Sequence, residues 1–310
     1  MADVRLGVVL WPQTDSWSSI RDAAVRAEAA GAASLWTWDH LNSISGPWEG
    51  PILEGWSILA GWSQVTSRAT LGLMVAANTF RNPGLTAKLA TTLDQLSGGR
   101  AILGIGGAWF EREHEAFGID FGSGFGERLD RLDEAVMLLR RLLDGERVTH
   151  DGPVYPMKDA LVAPRPVQAR LPIMIGGSGP KKTLRTLARY GDQWNSMGTL
   201  AELRKHDAVL REHCATIGRD EAEIERTTTV DIVIRDTREA AMSVYRGRLA
   251  ANGEEFDEGW NFFCGTPAEI AGGLEPIVEL GFRHVFVDMP APYDTETLDR
   301  LGEVLEHLNG

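Results

Sequence analysis

The chain has 310 residues, 43% of them hydrophobic and 24% charged, and its formal net charge is −13. This length suits one large α/β barrel or two ordinary domains, and the acidic balance makes nucleic acid and anionic membranes poor partners. Cys214 and Cys264 form no CxxC pair, and neither a secretory signal nor an 18-residue apolar run is present. We therefore expect a cytoplasmic protein that binds neither nucleic acid nor a membrane.

The first half of the chain predicts strands alternating with helices. Short apolar runs predict strands at residues 4–10, 34–38, 71–77 and 101–105. Helical patterns cover residues 18–30, which Ser18 can cap, and residues 54–65. A third helix begins at Pro83, carries apolar Leu85, Leu89, Leu93 and Leu96, and ends at the glycines 98–99. Residues 110–126 are glycine-rich and are predicted to form a loop, and residues 127–143 form the most regular helix.

The second half returns to the same alternation after an interruption. Residues 144–171 are rich in Pro and Gly and carry β-prone pieces at 147–150 and 152–155, which predicts an insertion. Strands are then predicted at 172–175, 193–196, 227–234 and 284–287. Helices are predicted at 181–190, 201–217, 237–252, 266–280 and 295–308.

Eight short apolar strands separated by helices predict a single (βα)8 TIM barrel over residues 1–310, with the insertion at about 144–171. A doubly wound sheet is the alternative. In a barrel, the functional residues collect at the carboxyl ends of the strands. Trp11, Asp39, His40, Asn78 and the glycines of two later strand ends all fall there.

Two of these strand ends carry residues suited to chemistry. His40 can act as a general acid or base near neutral pH, and the adjacent Asp39 can tune it. The alternative is a histidine that only bonds a neighbouring loop. The run Gly176, Gly177, Ser178, Gly179 lies between a strand and a helix, where backbone amides and Lys181 or Lys182 can hold a phosphate. The alternative there is a tight turn.

The sequence offers no metal site and no nucleophile. Glu111, Glu113, His114 and Glu115 lack the HExxH spacing of a zinc site, and we interpret them as an exposed helix start. A GxSxG motif and a reactive cysteine context are also absent. The chemistry is therefore expected to come from a bound organic cofactor.

Six segments together resemble the luciferase-like monooxygenase superfamily, and within it the coenzyme F420-dependent oxidoreductases. In chain order they are SLWTWDHL at 34–41, TFRNP at 79–83, LDQLSGGR at 93–100, GIGGAW at 104–109, PIMIGG at 172–177 and GTP at 265–267. The resemblance implies a luciferase-like barrel that transfers a hydride between F420 and a small organic substrate.

The resemblance also implies roles for particular residues. In similar enzymes the cofactor ring packs on a bulged third strand with a non-prolyl cis peptide, which here falls near Met74–Val75. His40, with Asp39 beside it, would lie near the ring atom that carries the hydride. The remaining cofactor contacts would come from Asn78, Gly106, Gly107, Ala108, Gly176, Gly177, Ser178 and Gly179, with Arg81, Lys181 and Lys182 offsetting the anionic cofactor tail. The substrate pocket would be shaped by Trp11, Gln13, Trp48, Trp109 and the glycine-rich loop up to Gly126.

One position departs from the similar enzymes. In the F420-dependent sugar-phosphate dehydrogenases a glutamate follows the glycine step and serves as an acid, and here Trp109 stands at that place. The departure argues against a sugar-phosphate substrate and leaves the proton donor open between His40 and Glu113. An FMN-dependent two-component monooxygenase and a non-catalytic flavin-binding barrel remain as alternatives. A homodimer is the expected assembly.

Overall fold

A computed structural model describes residues 3–253 and 261–310. Its strands are β1 (Arg5–Leu10), β2 (Ser34–Thr37), β3 (Thr70–Leu73), β4 (Ala76–Ala77), β5 (Ala101–Gly106), β6 (Val148–His150), β7 (Met157–Ala160), β8 (Ile173–Gly176), β9 (Gln193–Asn195), β10 (Glu225–Ile234), β11 (Phe262–Gly265) and β12 (Phe282–Met289).

The helices pack around these strands. They are α1 (Trp17–Ala29), α2 (Gly55–Val65), α3 (Pro83–Ser97), α4 (Glu111–Phe117), α5 (Phe125–Leu143), α6 (Thr183–Tyr190), α7 (Leu200–Ile217), α8 (Arg238–Asn252), α9 (Pro267–Glu279), α10 (Thr295–Asp299) and α11 (Leu301–Asn309). Across the described residues, none of these helices combines the length and apolar composition needed to cross a bilayer.

The strands close into an eight-stranded parallel barrel, which confirms the predicted fold. Around the barrel the order is β1, β2, β3 with β4, β5, β8, β9, β10, β12 and back to β1. The strands are almost wholly buried, because helices cover the outside and side chains fill the inside. In the interior, Gly72 leaves room for Trp36, whose ring would lie 2.4 Å from a Cβ at that glycine.

Several elements differ from the sequence prediction. The strand predicted at 71–77 is two strands, and the cis peptide bond between Met74 and Val75 that separates them confirms the cis peptide implied there by the resemblance. The final predicted helix is divided at Arg300 into α10 and α11. β11 was not predicted; it is a short strand that, within the described ranges, pairs only with the end of β10. Ser16, not Ser18, caps α1.

The region predicted as a glycine-rich loop contains α4. Residues 111–117 are helical, and Gly118 ends the helix in the left-handed conformation at φ +66°. The glycines that suggested a loop therefore lie after the helix. In α3, Leu85 and Leu96 of the expected apolar face are about half exposed, and the smaller Thr86, Ala87 and Ala90 face the barrel instead.

The segment that interrupts the alternation forms its own small sheet. β6 and β7 pair with each other in antiparallel fashion and are not part of the barrel sheet. The second of these strands lies at Met157–Ala160, not at 152–155, and Tyr155 just before it points toward the barrel mouth, where it accepts a hydrogen bond from Asn78.

Candidate active site

A cavity of about 500 Å³ opens at the carboxyl ends of the barrel strands. This size lies within the usual range for a small-molecule site, about 300–1,000 Å³. Most of the residues that line it lie at or just after the carboxyl ends of β1, β2, β4, β5, β8, β9 and β12, so a single site is assembled from strands far apart in sequence. The predicted site residues among them are Asp39, His40, Met74, Val75, Gly106, Gly107, Ala108, Trp109, Glu113, Gly176, Gly177, Ser178 and Gly179.

The break between β3 and β4 forms the floor of the cavity. The Val75 side chain lies between two glycines of neighbouring strands, Gly106 and Gly176. A Cβ on Gly106 would come within 2.7 Å of Val75, and a Cβ on Gly176 within 2.9 Å. The two glycines therefore allow the bulged strand to lie close against β5 and β8 at the level of the cavity.

His40 is held by Glu113 rather than by the adjacent Asp39. Its Nδ1 lies 3.0 Å and 3.2 Å from the two carboxylate oxygens of Glu113, which also accepts the backbone amide of Leu41 at 2.9 Å. With the carboxylate ionised, Nδ1 carries the proton and donates, so Nε2 is left as an acceptor. Among the described residues, none hydrogen-bonds to His40 Nε2.

Helix α4 brings Glu113 to this position. The neighbouring His114 is fully buried, and its ring bonds Thr79 Oγ1 at 2.6 Å and the Phe110 carbonyl at 2.8 Å. These two bonds fix the start of α4 to the chain that follows β4. Glu113 is 1% exposed, so the expectation of an exposed helix start is wrong at these two residues. Within residues 3–253 and 261–310, no cluster of His, Cys, Asp and Glu has a metal-binding arrangement.

Asp39 bonds Arg81 and not His40. The Arg81 guanidinium donates to both oxygens of Asp39, at 2.6 Å and 2.9 Å, and the Ala77 amide donates at 2.9 Å. Burial raises the pKa of Asp39 above its ordinary value, although these donors act in the opposite direction. Arg81 also pairs with Glu54, so its charge is neutralised by two carboxylates. It therefore does not offset an anionic cofactor tail, contrary to the expectation from the resemblance.

The glycine turn after β8 presents unused hydrogen-bond donors to the cavity. Gly177 has φ +114°, which favours glycine, and its amide donates to the Asn195 carbonyl. The amides of Ser178 and Gly179 have no acceptor among the described residues, and neither has the buried Thr183 hydroxyl at the start of α6. Two free amides and a hydroxyl at a helix N-terminus fit a phosphate group.

Four predicted site residues do not line the cavity. Asn78 donates to Tyr155 instead, and Gln13 is buried where its amide holds the backbone of residues 44–45. Trp11 packs against Trp38 and bonds Asp288, so it supports the cavity wall from behind. Trp48 lies under the Arg112 guanidinium, 3.7 Å from its ring centroid, and ties the loop after β2 to α4.

The structure adds lining residues that the sequence analysis did not select. Phe125 and Leu129 lie on the first turns of α5, Thr183 begins α6, Met197 follows β9, and Thr229 and Asp288 lie within β10 and β12. Asp288 could have been found because it directly follows the strand predicted at 284–287, whereas Thr229 lies near the start of the strand predicted at 227–234. Phe125 lies within the loop predicted at 110–126, which was expected as a segment to help shape the substrate pocket.

Comparison with known proteins agrees with this fold and site. The model of the luciferase-like monooxygenase family matches residues 4–284. An F420-dependent glucose-6-phosphate dehydrogenase from Kineococcus radiotolerans is 33% identical over 301 residues, covering 87% of each chain. The F420-dependent hydroxymycolic acid dehydrogenase of Mycobacterium tuberculosis is 31% identical over 251 residues, covering 79% of this chain and 67% of that one.

Solved structures show the same fold. The coenzyme F420-dependent tetrahydromethanopterin reductase from Methanopyrus kandleri has a TM-score of 0.83 and 21% identity, covering 99% of this chain and all of that one. An F420-dependent secondary alcohol dehydrogenase, solved with an F420–acetone adduct, has a TM-score of 0.84 and 20% identity over the whole of both chains. The family match over nine-tenths of its length and the closed barrel lead to one conclusion: the chain belongs to the luciferase-like monooxygenase family.

Proposed function

We propose that the chain is an F420-dependent oxidoreductase that transfers a hydride between coenzyme F420 and a small organic substrate. The observation that carries the proposal is that His40, paired with Glu113, lines the same cavity as the glycine turn with its unused donors. The F420-dependent relatives and structural neighbours support the choice of cofactor.

The residues for the cofactor fall into two groups. The Ser178 and Gly179 amides and the Thr183 hydroxyl would hold the phosphate, and Val75 with Gly106, Gly107 and Ala108 would support the ring. F420, when bound, supplies a two-electron hydride carrier at its C5 position. The chain's own task is to orient the ring and the substrate and to exclude water.

We assign proton transfer to and from the substrate oxygen to His40. Glu113 fixes its ring by accepting from Nδ1, so Nε2 can take the proton of a substrate hydroxyl or return one to a carbonyl oxygen. In this assignment Glu113 is a positioning residue that also stabilises the imidazolium. Asp39 holds the strand end through Arg81 and the Ala77 amide and takes no part in proton transfer.

The test is an equilibrium titration of the purified protein with oxidised F420 and, separately, with FMN. We expect F420 to bind more tightly, and we expect Thr183→Val to weaken F420 about tenfold, since a hydrogen bond to a charged group is lost. Thr92→Val, at an exposed position of α3, is the matched control and should leave the affinity unchanged. Tighter FMN binding would favour the two-component monooxygenase instead. Binding of F420 with no turnover of any substrate would favour a non-catalytic flavin-binding barrel.

We propose a cytoplasmic homodimer of single-domain chains in which residues 144–171 are an insertion. Support for the dimer comes from apolar side chains about half exposed on neighbouring helices, Val65 at the end of α2 and Leu85 and Leu96 on α3. Light scattering would give the mass of a dimer, and a mass of 34.0 kDa would contradict it.

A further inference from the structure

The charged groups that line the cavity are acidic or belong to His40. They are Asp39, Glu113 and Asp288, and no lysine or arginine lines the cavity among the described residues. The sequence outside the described ranges adds none, since residues 1–2 and 254–260 contain neither lysine nor arginine. The part of the cavity beyond the phosphate turn therefore offers no positive side chain except a protonated His40.

Three cationic residues are adjacent in sequence to lining residues, and each contacts a neighbour outside the cavity lining or at its edge. Lys182, beside Thr183, bonds Asp130 and the Gly126 carbonyl. Arg112, beside Glu113, lies over Trp48, and Arg128, beside Leu129, lies over the Phe121 ring at 3.7 Å. Because of these contacts, none of the three positive groups lines the cavity.

The mouth of the cavity is apolar and open to solvent. Trp109 is 61% exposed, Phe125 56% and Met197 49%, although all three line the cavity. Trp38 and Ile44 continue this surface inward toward His40. Exposed large apolar side chains that rim a concave site are typical of surfaces that bind an apolar ligand.

We propose that the substrate is an uncharged, largely apolar alcohol or the matching carbonyl compound; this inference rests on the proposed function. In the oxidising direction, the C–H bond of the carbinol carbon breaks and its hydrogen leaves with the electron pair as a hydride to oxidised F420. The hydroxyl proton passes to His40 Nε2, and the C–O bond becomes C=O. Reduction of the carbonyl by reduced F420 runs the same steps in reverse.

An uncharged alcohol differs from glucose 6-phosphate, the substrate named for several relatives of this chain. A glucose-6-phosphate dehydrogenase is 33% identical to this chain, yet beyond the turn assigned to the cofactor phosphate a phosphate dianion would meet Glu113 and Asp288 and no lysine or arginine. Burial of an unpaired charge is strongly unfavourable, and like charges across an interface add to that cost. The apolar rim and the missing cations therefore favour the same class of ligand.

The test measures ligand binding to the protein loaded with reduced F420. An alcohol cannot react with the reduced cofactor, so emission from the cavity tryptophans reports binding alone. The ligands are cyclohexanol and the monophosphate of cyclohexane-1,4-diol, which carries a hydroxyl and a charge on the same ring. We expect cyclohexanol to bind at least about tenfold more tightly.

A positive charge introduced at the rim tests whether the lack of cations causes the weak binding of the phosphorylated ligand. We expect Met197→Lys to tighten the phosphorylated ligand about tenfold while changing cyclohexanol less than about threefold. Ile217→Lys is the matched control, because Ile217 is also 49% exposed but ends α7 away from the cavity lining. It should change neither affinity.

Two results would overturn the inference. One is equal or tighter binding of the phosphorylated ligand to the unaltered protein, and the other is binding of neither ligand. Binding of reduced F420 is measured separately, in the same samples and before ligand is added. Either result would thus reject the substrate class while leaving the proposed cofactor intact, whereas failure to bind F420 would reject the proposed function itself.

Discussion

His40 and Asp39 are consecutive in sequence and have different partners. Neighbouring residues of an extended chain point in opposite directions, so Asp39 turns to Arg81 while His40 faces Glu113, 73 residues later. The positions of His40 and the glycines could be predicted because they follow predicted strands or match family segments, and Glu113 was one of two candidate proton donors. Their pairing could not, because a sequence pattern does not give side-chain direction across a barrel mouth.

Removing the charge of Glu113 should impair catalysis more than binding. Glu113→Gln keeps the size of the side chain and an oxygen for the Leu41 amide but no longer stabilises a positively charged His40. We expect kcat to fall about 10²-fold, at the lower end for general acid–base catalysis, with the Kd for F420 within about threefold. Glu115→Gln, exposed on the same helix, should retain full turnover. An unchanged kcat in Glu113→Gln would reject the role of the pair.

The ion pair of Asp39 and Arg81 should matter for stability. Asp39 is 3% exposed, so Arg81→Met leaves a buried carboxylate without its partner. We expect the free energy of unfolding in urea to fall by about 3 kcal/mol, and Asp39→Asn in the same chain should recover part of that loss. Arg21→Met removes an exposed pair with Asp22 and should change stability by less than about 0.5 kcal/mol. Equal effects of the two arginine variants would contradict this account.

Elements at the barrel mouth hold the site in place. Helix α4 carries Glu113 and is fixed through His114, and the break between β3 and β4 inserts Val75 between Gly106 and Gly176. The sequence predicted the alternation of strands and helices well, because each strand is a short apolar run. It indicated a helix start at residues 111–115 but not the whole of α4, because the glycines at 118, 122, 124 and 126 dominate that region. The break in the third strand followed from the family resemblance and not from the residue pattern, because propensity does not report a bulge.

A methyl group on Gly106 should disturb this floor through Val75. The new Cβ would lie 2.7 Å from Val75 Cγ2, and we expect Gly106→Ala to cost about 1–3 kcal/mol in urea unfolding. Val75→Ala in the same chain should restore part of the loss, since it removes the clashing atoms.

Gly104→Ala, on the same strand, would clash with backbone instead of with a side chain. Its Cβ would lie 2.0 Å from the Leu73 carbonyl oxygen, which belongs to the backbone and cannot rotate away. We therefore expect a larger loss of stability that Val75→Ala does not relieve. Relief of both glycine variants by Val75→Ala would contradict the packing described for the cavity floor.

In the whole molecule, the barrel separates a reactive end from a structural end. The cavity lies at the carboxyl ends of the strands, while the opposite end is closed by a buried polar cluster. There His284 Nε2 lies 2.9 Å from Ser34 Oγ, and its Nδ1 lies 3.3 Å from Glu225. This serine, histidine and carboxylate resemble a hydrolytic triad, but Ser34 is fully buried, so no substrate reaches it. The cluster is therefore structural.

His284 should make stability sensitive to acid. Burial lowers the pKa of His284 below its ordinary value of 6.5, so the unfolded chain binds its proton more readily than the folded chain does. The stability that this histidine contributes is thus present above about pH 6.5 and is lost as pH falls through the lower folded pKa. We expect His284→Asn to lose less stability than the unaltered protein between about pH 7 and about pH 5 in urea unfolding. Parallel pH profiles would contradict a buried neutral His284.

Hydride transfer is tested by following a labelled hydrogen from substrate to cofactor. The protein is incubated with oxidised F420 and an apolar alcohol that carries deuterium at the carbinol carbon, and the reduced cofactor is analysed by mass spectrometry. Direct hydride transfer predicts that the reduced F420 retains the deuterium in ordinary water. Deuterium released to solvent, or alcohol oxidation that requires FMN and oxygen instead of F420, would contradict the account.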